Sequence, residues 1–238
     1  MLKAEGLTKR YGPMEAVREV SLTVSPGEIL TILGPSGSGK TTVLRLLAGF
    51  ERPDEGIVSL DGREVSSPRK MLAPSRRGLS MIFQDLALWP HMTVKENIRF
   101  VLSRNGMNRS VVAEEIERML AKVNLSGVTG RYPHQLSGGE KQRLAIARAL
   151  ASKPAYLLMD EPFSNLDSLL KDELQDVVMG LREGSHMGII YVTHHIEEAL
   201  ALTGRLLIMK RGRMVQTGRK EEVLSHPSND FVKRFLRI

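Results

Sequence analysis

Two short stretches hold the residue types from which phosphate chemistry is built. The first, GPSGSGKTT from Gly34 to Thr42, satisfies G-x-x-x-x-G-K-[ST] between the apolar run EILTILG and the helical stretch TTVLRLLAG. Glycines in such a loop let successive backbone N–H groups turn inward around an anion, and the following helix aims its positive end at the same point. Pro35, Ser36, Gly37, Ser38 and Gly39 are therefore read as a phosphate cradle continuing to Thr42, with Lys40 as the charge on the β and γ phosphates and Thr41 as a hydroxyl ligand of Mg²⁺. The second stretch, LLMDE, ends an apolar run in two acids. Magnesium takes oxygen ligands in octahedral array, so Asp160 is expected on the metal side and Glu161 beside an attacking water, which is the arrangement of a hydrolase.

Other residues have the right types without so explicit a pattern. LSGGEKQR, from Leu136 to Arg143, sets Ser137, Gly138 and Gly139 directly ahead of a helix and reads as a second anion cradle. Gln84 follows the strand-like LSMIF, and His194 ends IIYVTH; strands would deliver both to the carboxyl edge of a sheet, where ligands bind in open α/β folds. A polar strand end and a structural histidine are the competing readings. Tyr11 is open between stacking on an adenine and simple packing.

These residues need elements to hold them. The first sixty or so residues read as short strands with turn signals, among them Val20 to Val24, the turn SPGE and the strand GIVSLDG. EILTILG suits a buried parallel strand, and TTVLRLLAG a helix ending at Gly49. From about Gln84 to Lys153 the character is helical, with Val112, Ile116, Leu120 and Val123 at helical spacing, and KQRLAIARALA as a further helix. AYLLMDEP and GIIYVTHH return to parallel strands, IEEALAL is a helix, and RLLIMKRGRMVQTG is a hairpin turning at Lys210 to Arg213. The internal EGSHMG is read as loop, and DFVKRFLRI as a terminal helix with Phe231 and Phe235 on one face.

Composition bounds the rest. The 238 residues are 42% hydrophobic and 26% charged, as expected of one folded domain. With no cysteine there are neither disulfides nor thiolate metal sites, and the cytosol is the default compartment. The N-terminal residues lack the apolar stretch of a signal peptide, and no run approaches the ~20 apolar residues of a membrane span. A net charge of +7 suits nucleotides, an anionic membrane face, nucleic acid or a merely soluble surface, and does not choose among them.

Taken in order, these motifs resemble the ATP-binding cassette (ABC) ATPases over nearly the whole chain. Tyr11 matches the aromatic A-loop residue, GPSGSGKT the Walker A loop, Gln84 the Q-loop, and LSGGE the family signature; YLLMDEP matches Walker B, SNLD (Ser164 to Asp167) the D-loop, and His194 the switch histidine. The resemblance implies an α/β fold of the P-loop NTPase type: a RecA-like parallel sheet with an antiparallel β-subdomain, about 1–84 and 156–238, and an inserted helical subdomain, about 85–155. It implies Mg²⁺-dependent hydrolysis of ATP, with Thr41, Asp160 and Gln84 on the metal, and with Glu161, Lys40, His194 and Gln84 as catalytic residues. It also implies a head-to-tail dimer, of two copies or of paralogues, in which Ser137, Gly138 and Gly139 of one subunit close over the γ-phosphate held by the other.

FQDLALWPHMTVKENI, RYPHQLSGGEKQR and DEPFSNLD are similar to importer ATPases for iron(III), polyamines, sulfate and sugars. That likeness implies integral membrane permease subunits, a solute-binding protein outside the cell, a place on the cytoplasmic face of the membrane, and Leu88, Trp89, Pro90 and His91 facing the permease. Trp89 packed inside the helical subdomain is the competing reading. A soluble ABC ATPase acting on nucleic acid or ribosomes is disfavoured, because one cassette with a compact insertion has neither the long coiled coils nor the doubled cassettes of those relatives; an exporter is disfavoured by the wording of the motifs. Two residues depart from the pattern: Glu140 stands where glutamine is commonest, and His195 where importers usually have aspartate. The sequence given stops at Ile238, where many relatives continue into a C-terminal regulatory β-domain; a short-form ATPase and a truncated chain both stay open, and regulation through such a domain is not assumed. The solute is left open.

Overall fold

The computed structural model describes residues 1–103, 109–164, 166, 168–182, 186–202 and 204–238. Asn165 and Asp167 of the SNLD stretch, and Glu183, Gly184 and Ser185 of EGSHMG, lie outside the described residues.

The chain opens with β1 (Leu2–Tyr11) and β2 (Met14–Val24), then β3 (Ile29–Leu33), α1 (Lys40–Ala48), β4 (Glu55–Leu60), β5 (Arg63–Ser67), β6 (Lys70–Met71) and β7 (Leu79–Ile82). The opening strands are not short: β1 has 10 residues and β2 has 11. Their pairing shifts register between Ala4 and Leu7 and again near Lys9, so no single alternation of apolar and polar residues runs through them. Helices follow: α2 (Val94–Ser103), α3 (Arg109–Lys122) and α4 (Gly138–Ala151). Next come β8 (Tyr156–Asp160), α5 (Ser168–Arg182), β9 (Gly188–Thr193), α6 (Ile196–Leu202), β10 (Arg205–Lys210), β11 (Arg213–Arg219), α7 (Lys220–Ser225) and α8 (Asp230–Leu236). The sequence reading passed over α5, although Leu170, Leu174, Val177 and Val178 keep helical spacing and pack into the core.

A six-stranded sheet runs β11-β10-β3-β9-β8-β7, and a five-stranded antiparallel sheet runs β2-β1-β4-β5-β6. In the first, β10, β3, β9, β8 and β7 are mutually parallel and only β11 reverses. Both faces are covered, which is why β8 and β9 are continuous apolar runs. Leu157 and Met159 of β8, with Ile189 and Tyr191 of β9, join the core shared with α2 to α5; Leu158, Ile190 and Val192 join the core under α1 and the antiparallel sheet. Each fully buried Leu or Ile contributes about 1.5–3 kcal/mol, and side chains on both faces of each strand do so. Phe231 and Phe235 stack 5.5 Å apart on α8, against a smaller cluster that includes Val232 and Leu236. Among the described residues, no helix is long and apolar enough to cross a membrane.

One buried cation fastens the antiparallel sheet to the end of α1. Arg77, 5% exposed, donates to the Leu46 and Leu47 carbonyls at the end of α1, to the Val65 carbonyl and Ser66 hydroxyl of β5, and to the Leu72 carbonyl. Burial pulls its pKa down to about 10, which leaves it charged at neutral pH. Gly49, at φ +83°, ends α1 where any Cβ would lie 2.3 Å from this guanidinium. Arg77→Met leaves buried carbonyls without donors, so unfolding free energy should fall by about 3 kcal/mol. A lower urea midpoint at unchanged m-value is the expected result.

Candidate functional site

Parallel register sets the candidate residues level with one another. Leu33 pairs with Thr193 and Asp160 with Val192, so Gly34, Glu161 and His194 all emerge just past the carboxyl ends of adjacent strands. The Glu161 N–H donates to the Val192 carbonyl at 2.9 Å, and its φ of +46° turns the chain sharply out of β8. That turn directs the Asp160 and Glu161 side chains to different partners.

Between β3 and α1 the loop is shaped by close approach. Gly39 has φ +100°, and a Cβ there would meet the Ala16 carbonyl oxygen at 2.3 Å; one at Gly34 would meet the Met209 carbonyl at 2.4 Å. Lys40 is 5% exposed, and its Nζ donates to the carbonyls of Gly34 at 2.8 Å and Pro35 at 3.2 Å, with Glu161 Oε1 at 3.6 Å. Burial pushes the Lys40 pKa down, and the Glu161 carboxylate opposes that shift. Glu161 Oε2 lies 2.9 Å from His194 Nδ1, so lysine, glutamate and histidine form one chain of contacts. The Thr41 hydroxyl donates to Asp160 Oδ1 at 2.9 Å. Burial raises the Asp160 pKa, with the Thr41 hydrogen bond pulling the other way.

Of these residues, Gly39, Lys40, Thr41 and Glu161 line a cleft of about 610 Å³, together with Tyr11, Ser36 to Ser38, Thr42, Gln84, Met14, Ala16, Arg211 and Gly212; Asp160 and His194 are not among its lining. Tyr11 is 40% exposed, with the Lys9 ammonium 5.5 Å from its ring centre. Met14 and Arg211 were missed by sequence reasoning. Arg211 reaches the cleft because the Gly212 N–H donates to the Ser38 carbonyl at 3.0 Å, a contact between residues 174 apart in number that no local pattern signals. A second hollow of about 600 Å³ lies beside the amino ends of β8 and β9, away from every predicted site residue.

The donors present fit a hard cation and phosphate. Thr41 hydroxyl, Asp160 carboxylate and Gln84 amide offer oxygen ligands, and the buried Ser38 hydroxyl has no hydrogen-bond partner among the described residues. Among the described residues no group of three His, Asp or Glu forms a metal cage, so a cation here would complete its shell with ligand or water oxygens.

Ser137, Gly138 and Gly139 are not brought to this cleft. They begin α4, where the Ser137 hydroxyl accepts from the Glu140 N–H at 3.2 Å and Glu140 Oε2 accepts from the Ser137 N–H at 2.7 Å. Glutamate therefore completes a reciprocal cap, which accounts for it locally, and the Ser137 N–H holds its carboxyl below the usual range. Ser137 and Gly139 line a separate depression of about 460 Å³ with Asn124, Arg143 and Leu170. His195 finds its place as well: its N–H donates to the Thr193 hydroxyl at 3.0 Å, and its ring lies 4.1 Å from that of His194.

Beyond Gln84, the loop bearing Leu88 to His91 is held by Asn97 and by Arg148, which donates to the Leu86 and Ala87 carbonyls. Asn97, fully buried, accepts from the Trp89 N–H and donates to the carbonyls of Trp89, Met92 and Thr93. Trp89 is half-buried between Phe100, 4.8 Å away edge-on, and the Arg148 guanidinium at 4.7 Å; Pro90 and His91 are exposed.

A glycine loop between a central parallel strand and its helix, with a strand-end acid bonded to the helix threonine, defines the P-loop class of α/β folds. Within that class the profile of the ABC transporter family matches residues 17–164, and the chain belongs to that family. It is 44% identical over 236 residues to the "Spermidine/putrescine import ATP-binding protein PotA" of Chromobacterium violaceum, covering 99% of this chain and 64% of that protein. The protein of the same name from Nitrosomonas europaea is 41% identical at the same coverage. The "Putrescine transport ATP-binding protein PotG" of Escherichia coli K12 is 43% identical, with 62% of it covered. The chain thus spans a little under two thirds of the length of these relatives.

Asp160 supplies a test independent of any ligand. Its folded-state pKa lies above the unfolded value of about 3.9, so the folded form binds more protons and stability falls as pH rises through that interval. Asp160→Asn keeps the shape and an acceptor for Thr41 without the buried charge. It should melt higher than the parent at neutral pH in magnesium- and nucleotide-free buffer, with the gap narrowing as the pH is lowered; thermal scans over a pH series read this directly.

Proposed function

We propose that this chain is the ATP-hydrolysing subunit of an ABC importer for polyamines, working as a head-to-tail dimer at the cytoplasmic face of the membrane. The observation that carries the proposal is the contact chain Lys40–Glu161–His194 beside the Thr41–Asp160 bond, at the mouth of a glycine loop. Polyamine as the solute rests on the names of the relatives, which cover this chain almost end to end.

In this reading the loop amides and Lys40 bind the β and γ phosphates, and the exposed Tyr11 ring stacks on the adenine. Thr41, Asp160 and Gln84 hold Mg²⁺, which supplies neutralising charge to the phosphates. Glu161 takes a proton from the attacking water, and His194, whose Nδ1 faces Glu161, keeps that carboxylate aimed and reaches the γ-phosphate. Positioning and electrostatics carry most of the rate in such phosphoryl transfers. The Ser137 to Gly139 cradle of one subunit closes over the ATP of the other; the symmetry is isologous, so each chain gives one loop and one lid. Residues 85–155 act as the helical subdomain, and Leu88 to His91, steadied by Asn97, meet the permease, while a binding protein outside delivers the solute. Nucleic acid has no part in this cycle.

Glu161→Gln should bind ATP as the parent does while hydrolysis falls by about 10²- to 10⁴-fold, the range of a lost general base. Near-parental turnover would remove Glu161 from that role. Hydrolysis per site should also fall on dilution below the dimer's dissociation constant; a rate unchanged by dilution would exclude the lid. In detergent extracts the chain should co-purify with a hydrophobic subunit, and cells carrying Glu161→Gln should lose uptake of labelled spermidine or putrescine. Co-purification with ribosomes or nucleic acid in place of that subunit would favour the soluble ABC class.

A further inference from the structure

His194 meets Glu161 from the short turn between β9 and α6, and the imidazole itself is about a third exposed. The residues on either side of it are locked. Thr193 is fully buried, and its hydroxyl oxygen accepts from the His195 N–H at 3.0 Å. The same hydroxyl donates to Glu198 Oε2 at 2.8 Å, and Glu198 also receives the Tyr191 hydroxyl at 2.7 Å. The Lys171 ammonium on α5 lies 3.0 Å from Glu198 Oε1. Glu198 is 6% exposed and is not among the residues that line the cleft, so the roles assigned above leave it unused.

We propose that Glu198 is the positioning residue of His194: from α6 it orients the Thr193 hydroxyl, that hydroxyl fixes the His195 amide, and the turn so fixed presents the imidazole to Glu161. The inference rests on the reading of Glu161 and His194 as residues of ATP hydrolysis.

The direction of each hydrogen bond follows from chemistry. Burial acts to raise the Glu198 pKa, but the bonds from Tyr191, Lys171 and Thr193 outweigh it, and the group stays below its ordinary value and ionised. An ionised carboxylate only accepts, so the single proton of the Thr193 hydroxyl must point at Glu198, which leaves its lone pairs for the His195 N–H. Burial, with Glu198 adding to it, pushes the Tyr191 phenol far up, so Tyr191 too remains a donor. Lys171 supplies the counter-charge without which a buried carboxylate would be costly. Because Lys171 lies in the first turn of α5, one ion pair ties the element that follows the SNLD stretch to the turn that bears His194.

The test compares Thr193→Val, which keeps the shape and deletes the relay, with Thr193→Ser, which keeps the hydroxyl, and with Glu198→Gln, which removes the charge should the valine variant fail to fold. Thr193→Val should lower kcat for MgATP by about 10- to 100-fold, the range found for lost outer-shell partners. Its ATP dissociation constant should stay within about twofold of the parent, a kcat effect without a binding effect. Serine should restore turnover, Glu198→Gln should lose it as valine does, and the His194 imidazole NMR signal should move in the valine variant and not in the serine one. A folded Thr193→Val or Glu198→Gln with parental kcat overturns the proposal, as does a valine defect that serine does not repair. Glu161→Gln is run alongside: its inactivity beside an active Thr193→Val sinks the positioning role alone, whereas parental turnover in Glu161→Gln sinks both this role and the hydrolytic reading beneath it.

Discussion

The ammonium of Lys40 is the constraint around which the site is arranged. A buried cation costs several kcal/mol unless it is met by good partners, and Lys40 has almost no exposure with which to escape. Its partners come from separate parts of the chain: the carbonyls of Gly34 and Pro35 from its own loop, and Glu161 from the end of β8. Glu161 in turn meets His194, just past β9. In the sheet order β3-β9-β8 the Lys40–Glu161 contact spans β9, and a slip of one residue in either pairing would carry Glu161 or His194 to the wrong face. Satisfying one lysine thus depends on the register of β3, β9 and β8 and on the sharp turn at Glu161.

The antiparallel sheet contributes by limiting what the loop can become. The Ala16 carbonyl on β2 stands where any side chain at Gly39 would go, and the β10–β11 turn is bonded to the Ser38 carbonyl. Arg77 fastens that sheet to the end of α1, so the loop is gripped at its entrance by β3 and at its exit by a helix that cannot shift. Rigidity of this kind lets backbone amides act on phosphate without first being reorganised. The left-handed Gly39 gives α1 no side-chain cap, which leaves helix-end donors to a ligand.

What the sequence revealed and what it hid divide along a physical line. GPSGSGKT, LLMDE and the residues ending β7 and β9 were legible because each motif is local: a strand, its end and the few residues after it. The apolar runs of β8 and β9 disclosed a parallel sheet because both of their faces are buried. Arg77, Asn97, Arg211 and Glu198 were not legible, because what matters about each is a partner far away in the chain or a carbonyl that any residue could supply. The lengths of β1 and β2 were underestimated for a related reason, since register shifts erase the alternation by which a strand is recognised. Glu140 shows the reverse case: as a departure from a motif it raised a question, and as the third residue of a helix cap it is ordinary.

The two cradles open onto different hollows. Residues 36–42 open onto the cleft shared with Tyr11, Gln84 and Glu161, whereas Ser137 and Gly139 open onto a depression shared with Asn124, Arg143 and Leu170, and among the described residues none lines both. Ser137 is fixed by its own cap and Gly139 by Leu170, whose side chain occupies the space a Cβ would need. Neither cradle can swing to the other by a side-chain change, because each is the start of a helix packed into the core. Under the proposed function, a phosphate chain wrapped by the first is therefore beyond reach of the second in the same molecule, and only a second copy turned through a two-fold axis brings the two kinds of cradle together. Dimerisation in that reading follows from where the fold puts the two helix ends, and the shared ATP supplies the contact that each surface lacks alone.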